Sequence, residues 1–214
     1  MKRATLTFDN GPDPEVTPRV LDVLREHGVR AHFYVLGRAL ATREGALLVK
    51  RALAEGHHVG NHSYTHAVPL GEDTRAEAVD LEIVATAALL AELAPHEVKR
   101  FRPFGGGGAL GRHLLSPRAV EHLVANGYTC VLWNSVPRDW VEPEAWSARA
   151  LDDCDALPHA VIVLHDIPKA CLAALPKFLD DARARGVELV LDLPEGCTPI
   201  VEGRVLADLR PFTA

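Results

Sequence analysis

Five short stretches of this chain hold residues whose types and spacing suit chemistry. Leu6-Thr7-Phe8-Asp9-Asn10-Gly11-Pro12 carries an apolar run straight into an aspartate and an amide. Gly11, Pro12 and Pro14 continue neither a strand nor a helix, so Asp9 and Asn10 stand at a strand's C-terminal mouth, as turn residues or as chemistry. His62 and His66 lie four apart, a spacing that suits two ligands of one zinc ion. His58 and His62 repeat that spacing, but Gly60 separates them, and His58 reads as a packed or solvated strand residue. Arg102 precedes Pro103-Phe104 and four glycines, a place where an arginine can orient a carboxylate and a backbone can approach a substrate. Asp139-Trp140 follows a run ending in Trp133, and His165 follows the apolar Val161-Ile162-Val163-Leu164.

The elements that must position these residues alternate regularly. Strands are expected over residues 4–8, 29–35, 57–60, 98–104, 128–133, 160–164 and 187–191. Helices are expected over 15–27, 42–55, 76–93, 117–126, 146–153 and 169–185, several of them closed by glycine. The tail over 199–206, with Glu202-Gly203 between two apolar pairs, reads as a small hairpin. Repeated strand–helix alternation implies a parallel sheet, either closed into a barrel or open and doubly wound. In either form Asp9, the pair His62 and His66, Arg102 and His165 lie at the ends of four different strands on one face of the sheet, where α/β folds carry their sites. Scattered structural residues have no reason to gather there. The residues alone therefore point to a metal-assisted hydrolase, with a carboxylate base and a histidine acid flanking a bound ion.

The 214 residues suit one domain, residues 1–214, and the 48 % hydrophobic and 24 % charged content is that of a compact globular protein. A net charge of −6 with no basic run leaves no electrostatic footprint for nucleic acid or an anionic membrane. Four cysteines without a Cys-x-x-Cys spacing are expected to be reduced and structural. Met1-Lys2-Arg3 leads straight into the first strand, with no apolar leader, so a cytoplasmic location is expected.

Taken together, Thr7 to Pro12, His62 to His66, Arg102 to Phe104, Asp139-Trp140 and Leu164-His165 resemble, in order, the five motifs of the polysaccharide deacetylase family, a domain also found in chitooligosaccharide deacetylases. The resemblance implies a distorted (β/α)7 barrel that removes N- or O-acetyl groups from sugars with a divalent ion, usually zinc or cobalt. By the same resemblance Asp9 is the general base, Asn10, His62 and His66 hold the ion, and His165 is the acid. Arg102 orients Asp9 and Asp139 tunes His165. The Phe104 backbone N–H holds the oxyanion, and Trp140 and Leu164 line an apolar pocket for the acetyl methyl.

Two departures stand out. The family's metal-ligating aspartate is Asn10 here, a neutral amide in place of a charged oxygen, which implies weaker binding of a hard divalent ion. The third motif is one residue short, which leaves Arg100 as an alternative to Arg102. The expected function is therefore deacetylation of a small N-acetylated sugar, an oligosaccharide or a related amide. Two alternatives stand beside it: a metal-independent amide or ureide hydrolase of the same superfamily, and a catalytically silent carbohydrate-binding relative.

Overall fold

The computed structural model describes residues 2–95, 97 and 99–214. One sheet runs in the order β6-β1-β2-β3-β4-β5-β8-β9, with β7 paired to β1. Its strands are β1 (Lys2–Asp9), β2 (His32–Val35), β3 (His58–Asn61), β4 (Arg100–Phe101), β5 (Thr129–Cys130), β6 (His159–His165), β7 (Val187–Leu189), β8 (Ile200–Val201) and β9 (Arg204–Val205). β1 to β7 pair in parallel, and the β8–β9 hairpin adds to β5 antiparallel. A single isolated bridge, between Ser135 and Ile162, links the stretch after β5 to β6. The result is a curled, half-closed barrel of the (β/α)7 type.

Helices α1 (Thr17–Glu26), α2 (Gly37–Leu40), α3 (Arg43–Ala54), α4 (Ala85–Leu93), α5 (Pro117–Ala125), α6 (Trp146–Ala156) and α7 (Leu175–Ala184) connect the strands. Their ends follow local chemistry. The Thr42 hydroxyl accepts from the Gly45 amide at 2.9 Å to open α3, and Gly56, at φ 84°, lets the chain turn back after it. Among the described residues no helix is long and apolar enough to cross a membrane.

Strand alternation sorts the sheet into two faces. Ala4, Leu6 and Phe8 of β1 and Ala160, Ile162 and Leu164 of β6 pack outward with Val20, Leu24, Leu175 and Phe178 of the helices. Fully burying one of the larger of these side chains, such as Leu6 or Phe178, stabilises by about 1.5–3 kcal/mol. The residues between them face into the barrel: Val161 and Val163 join an inner apolar cluster with Phe101 and Leu132, and Thr5, Thr7 and Asp9 are buried polar groups.

Several expected elements are altered. The strand expected over 98–104 is a ladder of Arg100–Phe101 only, and Val98 lies outside the described residues. The helix expected over 76–93 contains a π-turn, Asp80–Val84, before α4. The helix expected over 169–185 begins with a 3-10 turn, Cys171–Ala173, ahead of α7. The short α2 was not expected at all.

Candidate active site

Asp9 ends β1 with its side chain turned into the barrel, 4 % exposed. Its register partners are His165 on β6 and Tyr34 on β2, so three strands meet at this residue. Its Oδ1 accepts from Arg102 Nη1 at 3.1 Å. Arg102 is fully buried, and its remaining donors reach the Thr7 hydroxyl at 2.5 Å and the Val131 and Leu132 carbonyls at 3.3 Å. Its guanidinium also lies 4.2 Å from the Tyr34 ring centre. Burial pushes the Asp9 carboxyl up, but the charge and hydrogen bond of Arg102, with His165 beyond it, outweigh burial and hold Asp9 below the usual carboxylate range. Of the two arginines, Arg102 reaches Asp9, whereas Arg100 pairs with Glu97 at 3.3 Å.

His62 and His66 stand on the turn after β3, with ring centres 4.9 Å apart. His62 Nδ1 lies 2.9 Å from the Arg102 carbonyl, which can only accept, so Nδ1 carries the proton. The Nε2 lone pair therefore points the other way, 3.7 Å from Asp9 Oδ2. Burial pushes both imidazoles down, His66 to about 3, so both are neutral at physiological pH. His66 packs against the Phe104 ring at 3.7 Å between centres.

Across the pocket, His165 Nδ1 lies 2.8 Å from Asp139 Oδ1, and the other Asp139 oxygen accepts from the His165 backbone N–H at 2.8 Å. Asp139 is fully buried. Burial lowers the His165 pKa, but the hydrogen bond and charge of Asp139, with Asp9 and Asp166 behind it, raise it above the ordinary histidine value. Trp140 meets the His165 ring edge-on at 4.8 Å. With Nδ1 turned to Asp139, the ring presents Nε2 to the pocket.

These groups share one pocket of about 220 Å³, bordered by Asp9, Asn10, His62, His66, His165 and the Gly105 to Gly108 loop. That loop is ordered by its contacts: Trp133 Nε1 donates to the Gly108 carbonyl at 2.7 Å, and a Cβ at Gly105 would stand 2.7 Å from the same indole. Phe104 and Trp140 line the pocket. Leu164 does not, because it alternates with His165 and packs in the outer core; Val163, two residues before His165, takes its place.

The donor set suits a divalent ion with one reservation. Asn10, at φ 73°, has a buried Oδ1 without a hydrogen-bond partner, an acceptor left for a cation beside the two neutral imidazoles. Among the described residues no three His, Cys, Asp or Glu side chains gather to hold an ion, so the set depends on that amide. Two residues at this site carried no signal in the sequence. Glu82 and Asn61, both buried, bind the His62–His66 turn through their side chains.

The family profile for polysaccharide deacetylases matches residues 1–130. The chain belongs to this family. It is 34 % identical over 191 residues to the peptidoglycan-N-acetylglucosamine deacetylase PgdA of Listeria monocytogenes, covering 88 % of this chain and 38 % of that protein. It thus spans well under half the length of that relative. It is 38 % identical over 166 residues to a chitooligosaccharide deacetylase of Rhizobium leguminosarum bv. phaseoli, covering 75 % of this chain and 66 % of the relative. Among solved structures, the polysaccharide deacetylase Bc1974 from Bacillus cereus superposes with a TM-score of 0.74 at 29 % identity, over 94 % of this chain and 97 % of that one. A family 4 acetyl xylan esterase from Clostridium thermocellum in complex with a cobalt ion gives 0.72 at 27 % identity, over 88 % and 87 %.

Proposed function

We propose that this member of the family hydrolyses the acetyl amide of an N-acetylated sugar or oligosaccharide, or the matching O-acetyl ester, with a divalent ion held by Asn10, His62 and His66. The observation that carries this reading is the register of Asp9 with His165 on adjacent strands, which puts a carboxylate and an aspartate-bound imidazole at one pocket with His62 and His66. The ion, zinc or cobalt, supplies Lewis acidity toward the acetyl carbonyl and lowers the pKa of the attacking water.

Asp9 takes the proton from that water, kept ionised and aimed by Arg102. The Phe104 backbone N–H is the donor assigned to the developing oxyanion. His165, whose protonated form Asp139 favours, gives its Nε2 proton to the departing nitrogen. Trp140 and Val163 hold the acetyl methyl. The neutral Asn10 favours one further reading, an amide hydrolase that works without the ion, and loss of activity on chelation separates the two.

The test is acetate release from N-acetylated chitooligosaccharides. Asp9→Asn and His165→Ala each lose at least about 100-fold in turnover while remaining folded. Near-normal turnover in either variant refutes the role given to that residue.

A further inference from the structure

The turn that carries His62 and His66 is tied down along its whole length. Five consecutive backbone amides donate to side-chain oxygens: Ser63 to Asn61 Oδ1 at 2.9 Å, Tyr64 and Thr65 to Glu82 Oε2 at 3.1 and 2.8 Å, His66 to Ser63 Oγ and Ala67 to Thr65 Oγ1, both at 3.2 Å. The Thr65 hydroxyl adds a third bond to Glu82, at 2.6 Å. The carbonyls of Ser63 and Tyr64 accept from the Gly37 and Arg38 amides that open α2, at 2.9 and 3.1 Å. Two non-glycine residues of the turn, Ser63 at φ 70° and His66 at φ 56°, stand in the left-handed region. Such conformations persist only where the surroundings over-determine them.

Glu82 is the centre of that restraint. It is 1 % exposed, comes from the π-turn Asp80–Val84, and its Oε1 also accepts from Arg75 at 3.2 Å. π-turns inside helices recur at functional sites. Asn61 ties the same two elements together, its amide donating to the Ile83 carbonyl at 2.9 Å.

We propose that Glu82 is a positioning residue for the ion. Reaching the turn from the π-turn, its carboxylate locks residues 63–66 so that His62 and His66 stand in ligating geometry before any ion arrives. This preorganisation offsets the missing carboxylate at Asn10, because a rigid neutral set loses less on binding than a flexible one. The inference rests on the reading of His62 and His66 as ligands.

The experiment is calorimetric zinc titration of the folded protein well below its melting temperature. Glu82→Gln keeps the shape but turns one acceptor into a donor facing the turn, and zinc affinity falls about 10–100-fold. Thr65→Val removes one of the three bonds to Glu82 together with the acceptor of the Ala67 amide, leaves the Tyr64 and Thr65 amides on Glu82, and weakens affinity less. In the metal-free protein, hydrogen exchange at the Tyr64 and Thr65 amides accelerates in Glu82→Gln. His66→Ala separates the two levels of the argument. If it leaves zinc affinity intact, the ligand reading fails. If it abolishes binding while folded Glu82→Gln and Thr65→Val both bind as tightly as the wild type, the role of Glu82 is refuted.

Discussion

Replacing Arg102 with methionine isolates the charge beneath Asp9. Methionine keeps most of the volume and its sulfur can rest against Tyr34, so the change mainly removes the guanidinium from a fully buried place. Asp9 is then a carboxylate, 4 % exposed, without its cation. It escapes by taking a proton. For a carboxyl with an unfolded pKa of about 3.9 that costs about 1.4 kcal/mol per pH unit, so about 4 kcal/mol at pH 7 and about 1.5 kcal/mol at pH 5. The Val131 and Leu132 carbonyls lose their donor as well, which adds about 1–2 kcal/mol at every pH.

The sign follows from the direction of the Asp9 shift. Its folded pKa lies below the unfolded value, so its contribution is present above the unfolded pKa and is lost as pH falls through the folded one. Arg102→Met therefore destabilises most at neutral pH, by about 5–6 kcal/mol, and by about 2.5 kcal/mol less at pH 5. Urea denaturation followed by tryptophan fluorescence at the two pH values measures both quantities. A loss under about 1 kcal/mol, or one equal at both pH values, refutes the account of Asp9 and Arg102 as a buried pair.

Three more outcomes are expected. Asn10→Asp restores a charged oxygen beside His62 and His66 and tightens zinc at least about 10-fold by calorimetry; unchanged affinity removes Asn10 from the ligand set. Asp139→Asn lowers the His165 pKa and moves the basic limb of the pH–rate profile to lower pH. Because that pKa is raised in the fold, the stability Asp139 confers is present below the unfolded histidine pKa of about 6.5 and is lost as pH rises through the folded value. The gap between the wild type and Asp139→Asn in denaturation is therefore wider at pH 6 than at pH 9, and a gap that widens with pH contradicts the pairing. Leu164→Ala costs about 2–5 kcal/mol of stability as a cavity in the outer core but leaves KM unchanged. A several-fold rise in KM with little loss of stability returns Leu164 to the pocket.

The parts of the fold that could be read from the sequence are those where local pattern and burial agree. β1 and β6 are apolar runs stopped by turn residues, and α1, α3 and α5 end in asparagine or glycine signals that the structure uses. β4 and β5 are shorter than their apolar runs because the chain leaves the ladder early, at Phe101 and Cys130, and the β8–β9 hairpin covers the edge of β5. No run of residue types announces such a departure. At the site, Asp9, His62, His66 and His165 border one pocket from the ends of different strands, where an apolar run stopping at a polar residue is legible, while Asp139 and Trp140 reach His165 from a loop. Leu164 falls outside the pocket because alternation along β6 turns it away from the face that His165 and Val163 share, a pattern legible in the sequence. Glu82 was beyond reach, since a glutamate in an Ala- and Leu-rich helix reads as a solvated charge until the π-turn and the amides of Tyr64 and Thr65 are seen.

The most direct test of a metal-assisted deacetylase is acetate release by the purified protein before chelation, after exhaustive chelation, and after return of zinc or cobalt. The account predicts that chelation abolishes turnover and that the returned ion restores it, with His66→Ala failing to recover. Full activity in the chelated protein would contradict it, and would assign the chemistry to Asp9 and His165 without an ion.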